Sequence, residues 1–217
     1  MRSREEINKF VRDSSLGKLN IVSRAIKFAE FAHDGQFDKG GHRYFEHVGS
    51  VGKEAEKRYG DENLTAIAYM HDVVEDGGFT ISDLMVWFPP VIWKVVDLLT
   101  KKKSESRSTY IERVSGNLLA AKVKIVDLDN NIDLTRIPLP KAVDYERQDR
   151  YILERAKISD AVNSMEKLVG EVNSRSSDAY YENVMDTQYK KYYGWKPEKT
   201  ILAKKETPNT EVKDERQ

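Results

Sequence analysis

The 217-residue sequence contains no cysteine, which excludes disulfide bonds and thiolate metal sites and leaves histidine and carboxylate side chains as the strong metal ligands. It also lacks a charge excess. Because 36 Lys plus Arg residues balance 36 Asp plus Glu residues, no overall field attracts nucleic acid, and none is expected as a partner. No stretch approaches the roughly 18 apolar residues of a membrane span, which predicts no membrane contact and a cytoplasmic location.

Apolar residues recur at three- and four-residue intervals along most of the chain, whereas the alternation typical of strands is nearly absent. Leu19, Val22, Ile26 and Ala29, for example, form one apolar stripe. The pattern therefore predicts an all-α fold. The predicted helices are 19–31, 48–59, 64–74, 81–88, 91–99, 110–114, 118–134, 145–172 and 179–193.

The length and composition suit one domain, since 39% hydrophobic residues can form a core and 33% charged residues can solvate its helices. We expect this domain to span residues 1–195. Beyond Trp195 the chain is rich in Lys, Glu, Thr and Pro, so we expect residues 196–217 to be a polar, disordered tail. Residues 33–44 contain three glycines and predict a loop that runs into a helix near His47.

The first candidate site is the sequence His71-Asp72-Val-Val-Glu75-Asp76, which ends the apolar run 64–70. On a continuous helix His71 would share a face with Glu75, and Asp72 with Asp76. Carboxylates packed this closely repel one another unless a cation or a proton compensates them, so the cluster favours a metal site. An isolated acidic helix end is, however, more often only a solvated terminus.

Two further segments strengthen the metal hypothesis. Asp127 and Asn131 share a face of an otherwise apolar helix, where burial needs a polar partner or an ion, and His47 lies where the glycine-rich loop meets a helix. Taken singly, His47 could be an ordinary surface or core histidine, and Asp127 could pair with a nearby lysine. Together, two histidines and two aspartates suit Mn, Fe, Co or Zn better than Mg or Ca.

The combined pattern resembles the hydrolase domain of the RelA/SpoT alarmone enzymes, and particularly the small metazoan-type alarmone hydrolases, within the HD superfamily of phosphohydrolases. The resemblance covers roughly residues 28–134. It is carried by His47, His71-Asp72, Glu75-Asp76, Lys124, Asp127 and Asn131. It implies an HD-domain helical bundle that binds one divalent cation, usually manganese.

The resemblance also implies a role for each matching residue. The implied metal ligands are His47, His71, Asp72 and Asp127. Glu75 and Asp76 match the acidic pair that orients or deprotonates the attacking water. The implied substrate contacts are Lys39, Tyr44, Lys103 and Asn131.

The sequence departs from the family pattern in the loop before His47. Asp38 occupies the place of an arginine that stands against the purine, and Val48 replaces a proline after the first metal histidine. A carboxylate has no attraction to the face of a base and repels phosphates, so Asp38 predicts weaker binding of guanosine alarmones. His33 and His42 are predicted to be surface or loop residues outside the site.

The function that the resemblance implies is removal of the 3′-pyrophosphate from guanosine tetra- or pentaphosphate (ppGpp and its relative), with a phosphorylated nucleotide as the substrate partner. Two alternatives stay open. The same chemistry could act on another nucleotide, such as NADPH or a deoxynucleotide, for which Asp38 could read a different base. The site could also be a metal-stabilised regulatory module without turnover, although a binder would not need Glu75 and Asp76.

Overall fold

The computed structural model describes residues 2–173, which form a bundle of α-helices. The helices are α1 (Arg4–Val11), α2 (Ile21–His33), α3 (Tyr44–Tyr59), α4 (Glu62–Met70), α5 (Ile81–Met85), α6 (Pro90–Leu99), α7 (Arg107–Ser115), α8 (Leu118–Ile132) and α9 (Ala142–Asn173). Short 3-10 turns lie at Ser14–Lys18 and Leu134–Arg136. Over residues 2–173 the β-structure consists of one isolated bridge between Phe37 and Arg43, so the predicted all-α class is confirmed.

Side chains at the helix starts explain where several helices begin. Asn20, Asp61, Ser106 and Asn117 each accept a hydrogen bond from the backbone N–H three residues later, at the starts of α2, α4, α7 and α8. Thr80 forms a reciprocal capping box with Asp83 at the start of α5. These contacts satisfy amide groups that a helix leaves unpaired at its first turn.

Helix α4 is the centre of the bundle, since every residue from Leu64 to Met70 is buried. Helices α2 and α3 pack on α4, α8 contacts α3 and α4, and α9 covers α8. These helices surround α4. Its C-terminal end opens between the start of α3 and the second half of α8. The candidate site lies at that end.

The prediction that helix 64–74 continues through the acidic motif is wrong, because α4 ends at Met70 and residues 71–76 form successive turns. The turns close when the Phe79 amide donates to the Val73 carbonyl at 3.2 Å. Gly78 has a φ of +84°, and a Cβ on Gly77 would lie 2.6 Å from the Ala32 Cβ. The glycine pair therefore reverses the chain and packs it against α2.

Other boundaries shift by a few residues, as expected where helix ends are read from periodicity. Helix α1 was not predicted; it is short, begins at a Ser3–Glu6 capping box, and buries Ile7. The predicted helix 179–193, the tail 196–217 and the end of the 1–195 domain lie outside the described residues. Among the described residues, no helix has both the length and the apolar character required to cross a membrane.

Candidate active site

Three potential ligands meet at the end of α4, each from a different helix. His47 comes from α3, His71 caps α4, and Asp127 comes from α8. The Asp127 Oδ1 atom lies 3.3 Å from the Nε2 atom of His47 and 3.6 Å from that of His71. One ligand atom from each residue lies within 4.8 Å of the other two, and all three residues are buried. This group could hold a metal ion.

The environment of His71 fits a cation. Its Nδ1 atom lies 2.7 Å from the Ala68 carbonyl, which can only accept, so Nδ1–H donates and the Nε2 atom faces Asp127. That Nε2 atom is buried and makes no hydrogen bond within the part of the chain that the structure describes. A buried polar atom without a partner is rare unless an ion or a water molecule completes it. The donor set of imidazole and carboxylate is one that Mn, Fe, Co and Zn accept.

The charges at the centre lead to the same conclusion. Burial alone would lower the pKa of His71, but the carboxylates of Asp72 and Asp127 outweigh it and raise that pKa well above its ordinary value. Burial would raise the pKa of Asp127, yet Lys124 and the two histidines hold it well below its usual range. The centre therefore favours positive charge, supplied by a proton or by a metal ion.

Asp72 lies beside this group rather than within it. Its Oδ2 atom is 3.1 Å from His71 Nε2 and 3.9 Å from His47 Nε2, and it accepts a hydrogen bond from the Tyr44 hydroxyl at 2.6 Å. The Tyr44 side chain therefore occupies one lone pair of Asp72 and leaves others available to an ion.

Glu75 and Asp76 stand at the exposed mouth of the site, where their environments differ. The Oε2 atom of Glu75 accepts a hydrogen bond from the Lys101 amide at 2.8 Å, which ties the acidic turn to the segment after α6. For Asp76, partial burial and the carboxylates of Asp72 and Glu75 raise the pKa to about 6. A pKa of about 6 suits Asp76 to proton transfer near neutral pH.

Comparison with known proteins identifies the family. A relative from Drosophila melanogaster, guanosine-3′,5′-bis(diphosphate) 3′-pyrophosphohydrolase MESH1, is 30% identical over 145 residues, which span 62% of this chain and 80% of the relative. This chain belongs to the family of metazoan-type alarmone hydrolases. No family model matches.

A solved structure supports the fold. It is described as a metazoan ortholog of SpoT that hydrolyses ppGpp and plays a role in starvation responses. It matches with a TM-score of 0.56 and 24% identity, over 80% of this chain and 96% of that chain. The expected helical bundle of the alarmone hydrolases is thereby confirmed.

A cleft in this chain carries cations close to the candidate metal centre. Lys101, Arg107 and Lys124 line it together with Tyr110. The Arg107 guanidinium is fixed by two hydrogen bonds that it donates to the Glu154 carboxylate, at 2.9 and 2.7 Å. The sequence prediction missed Lys101 and Arg107; its only signal was that they lie in the basic connector after α6.

Lys103, the residue predicted from the resemblance, lies on an exposed turn and is not part of the cleft lining. The reason is geometric: the hydrogen bond from the Lys101 amide to Glu75 brings residue 101 against the acidic turn, and the chain then turns away at residues 103–104. A shift of two residues in a loop separates the predicted lysine from the lysine that lines the cleft.

The cleft continues past Tyr44 into a second part. Phe37, Lys39, Asn131, Arg136, Arg147 and Tyr151 line it. The predicted substrate contacts Lys39, Tyr44 and Asn131 are therefore all at the cleft wall. The Nδ2 atom of Asn131 donates to Asp127 Oδ1 at 2.6 Å, so this amide also holds a candidate ligand in place.

One loop prediction needs correction. His33 is not a surface or loop residue: it is the last residue of α2, is buried, and packs its ring against Tyr44 at 4.9 Å between centroids. The apolar stripe of α2 continues from Ala29 to position 33, which explains the burial. His42 is exposed in the loop as predicted.

At Asp38, where the sequence departs from the family pattern, the carboxylate is engaged within the protein. Oδ1 accepts from the amides of Gly40 and His42, both at 2.9 Å, and Oδ2 accepts from Arg136 at 2.7 Å. The Asp38 carboxylate therefore lines the cleft as a partner of Arg136 rather than as an unpaired charge. Asp38 instead brings an arginine to the cleft from elsewhere in the chain.

Proposed function

We propose that this chain is a metal-dependent phosphohydrolase that removes the 3′-pyrophosphate of guanosine tetra- or pentaphosphate. Its family membership supports the reaction, since the relative from Drosophila is described as a guanosine-3′,5′-bis(diphosphate) 3′-pyrophosphohydrolase. The observation that carries the proposal is the buried group of His47, His71 and Asp127 at the foot of a cleft that also contains lysines and an acidic pair.

In this proposal His47, His71 and Asp127 hold one divalent cation, and Asp72 completes the set. Manganese is the expected ion, with iron, cobalt or zinc as alternatives that the same donors accept. A bound cation of this kind polarises a phosphoryl oxygen and lowers the pKa of a nearby water molecule.

The two acidic residues, Asp76 and Glu75, have different roles in this proposal. Asp76 takes the proton of the attacking water, because its pKa of about 6 leaves it largely ionised at neutral pH and still basic enough to accept a proton. Glu75 positions Lys101 through the backbone hydrogen bond at 2.8 Å.

The cations of the cleft bind the substrate on either side of Tyr44. Lys101 and Arg107 line the part of the cleft beside the candidate metal centre, and in this proposal they stabilise the charge on the leaving pyrophosphate. Lys39 and Arg147 line the second part of the cleft, where they offset the remaining phosphates. Tyr44 and Asn131 lie at the junction and place the sugar between them.

A different nucleotide substrate was the main alternative, and its ground was a free carboxylate at position 38. The hydrogen bonds of Asp38 to its own loop and to Arg136 support the guanosine alarmone over a substrate whose base a free carboxylate would read. A regulatory module without turnover would have the same metal centre but no use for the raised pKa of Asp76.

The test is a turnover assay of the manganese-loaded protein on guanosine tetraphosphate, NADPH and a deoxynucleoside triphosphate. We expect pyrophosphate release from the first at the highest kcat/KM. Asp76→Asn should lose most of that activity, whereas Glu46→Gln, an exposed carboxylate on α3, should match the wild type. Faster turnover of either other nucleotide would replace the substrate, and no turnover of any would favour the regulatory module.

A further inference from the structure

The candidate ligand His47 is supported by a side chain distant in sequence. Its Nδ1 atom lies 2.6 Å from the Oδ1 atom of Asn130, which belongs to α8 and is separated from it by 83 residues. A histidine that binds a metal through Nε2 must carry its proton on Nδ1. Asn130 can accept that proton only if its oxygen, and not its NH₂ group, faces the ring.

Arg136 determines which way the Asn130 amide points. The Nη1 atom of Arg136 lies 3.1 Å from the same Oδ1 atom, and a guanidinium can donate but never accept. The other contact of the amide, from Nδ2 to the Ser50 hydroxyl at 3.0 Å, does not discriminate, because a hydroxyl both donates and accepts. The orientation of the amide therefore depends on the arginine.

Arg136 is in turn held by the loop that precedes α3. Asp38 binds its Nη2 atom at 2.7 Å, and the loop amides of Gly40 and His42 hold the Asp38 carboxylate from the other side. Gly40 packs so closely on this segment that a Cβ would lie 2.2 Å from the Arg136 carbonyl oxygen. Side-chain and backbone contacts thus independently dock the loop on residue 136.

We propose that Asp38, Arg136 and Asn130 are positioning residues that fix the Nδ1-protonated tautomer of His47 and so prepare its Nε2 atom for the metal. Asp38 orients Arg136, Arg136 orients the Asn130 amide, and Asn130 selects the ring tautomer. The inference rests on His47 being a metal ligand, as proposed above. It explains the aspartate at position 38 as part of metal binding rather than of base recognition.

The experiment measures the Mn²⁺ affinity of the metal-free full-length protein by competition with a fluorescent chelator. We expect Asn130→Ala to weaken binding by roughly 10- to 100-fold, the usual effect of removing a partner of a metal-binding histidine. Arg136→Met should weaken it several-fold, because the amide can then turn. In the Arg136→Met background, Asn130→Asp should restore affinity, since a carboxylate can only accept.

That rescue separates tautomer control from general damage, because a loosened loop would not be repaired by a carboxylate at position 130. Asp129→Asn is the matched control: it is the neighbouring residue on α8, but its ion pairs with Arg58 and Arg155 do not reach His47. The Mn²⁺ affinity of Asp129→Asn should equal that of the wild type.

A second readout does not depend on metal. Long-range ¹H–¹⁵N spectra of the imidazoles, with the His47 signals identified by their loss in His47→Gln, should show the Nδ1-protonated form in the wild type and a mixture in Asn130→Ala. Unchanged His47 spectra and unchanged Mn²⁺ affinity in Asn130→Ala and Arg136→Met would overturn the proposal. If the metal results are as expected but the protein does not hydrolyse guanosine tetraphosphate, only the proposed function is overturned.

Discussion

Two carboxylates of the candidate site, Asp127 on α8 and Asp76 on the acidic turn, differ in how the protein compensates their charge. Asp127 is buried and accepts hydrogen bonds from the Lys124 ammonium and the Asn131 amide, both at 2.6 Å. Asp76 is exposed at the cleft mouth beside Asp72, and its pKa is raised to about 6. The surroundings of Asp127 compensate its negative charge, whereas those of Asp76 repel its negative charge.

The difference indicates two kinds of contribution. A buried, paired carboxylate such as Asp127 belongs to the architecture of the fold as well as to the ligand set, so its removal harms both. A carboxylate held among like charges costs stability, and such arrangements are typical of groups retained for proton transfer. Variants on the two sides should therefore separate stability from catalysis.

The largest effect is expected for Asp127→Ala. This change removes a ligand and leaves the largely buried ammonium of Lys124 without its partner, so we expect loss of metal, loss of activity and destabilisation by about 3–5 kcal/mol. Elemental analysis and urea denaturation measure these outcomes.

Asp129→Ala is the matched control for Asp127→Ala, because its partly exposed ion pairs should contribute less than about 1 kcal/mol. The double variant Lys124→Met/Asp127→Ala should recover stability but not metal. Full metal occupancy in Asp127→Ala would remove this residue from the site.

Asp76→Asn should slow catalysis but retain metal and gain stability. Turnover should slow by roughly 10²-fold or more, as for loss of a proton-transfer group, while metal binding is retained. Because the folded protein holds the Asp76 proton more tightly than the unfolded chain does, ionisation destabilises the fold as the pH rises towards 6. After allowance for solvent screening at this exposed position, the asparagine should stabilise the metal-free protein by about 1 kcal/mol, or roughly 2–4 °C at pH 7.

The pH profile provides the check on this assignment. Wild-type kcat/KM should fall as the pH drops through the pKa of Asp76, at or below about 6, since a bound cation lowers that pKa further. The residual activity of Asp76→Asn should lack this fall. If Asp76→Asn has the wild-type rate and the wild-type melting temperature, Asp76 is an ordinary solvated surface residue.

The sequence was sufficient for most of the helices and for three residues that could hold a metal ion, for physical reasons. Helical periodicity shows which residues are buried, and Asp127 is conspicuous because a polar group on an apolar face needs a partner. The resemblance to the family then related the spacing of these residues to a known site. The convergence of His47, His71 and Asp127 is the part that the structure brings together.

Loop contacts could not be predicted, because they depend on hydrogen bonds between segments far apart in the chain. Nothing in the residues around Asp38 indicates that its partner is Arg136, 98 positions away. The end of α4 at Met70 likewise depends on how closely Gly77 approaches α2, and the apolar period that precedes it gives no sign of this. Periodicity reports burial along one element, not the pairing of loops.

The smallest effect concerns the hydrogen bond by which the acidic turn holds Lys101. Glu75 accepts the Lys101 amide, so this lysine lines the cleft, whereas Lys103 lies on the exposed turn beyond it. Lys101→Met should raise KM for guanosine tetraphosphate roughly fivefold, equivalent to about 1 kcal/mol, with little change in kcat or in stability. Lys103→Met makes the identical change two residues away and should leave KM unaltered. Equal effects in the two variants would mean that the connector attracts phosphate only through its overall charge, and a larger effect in Lys103→Met would restore the contact that the family resemblance implied.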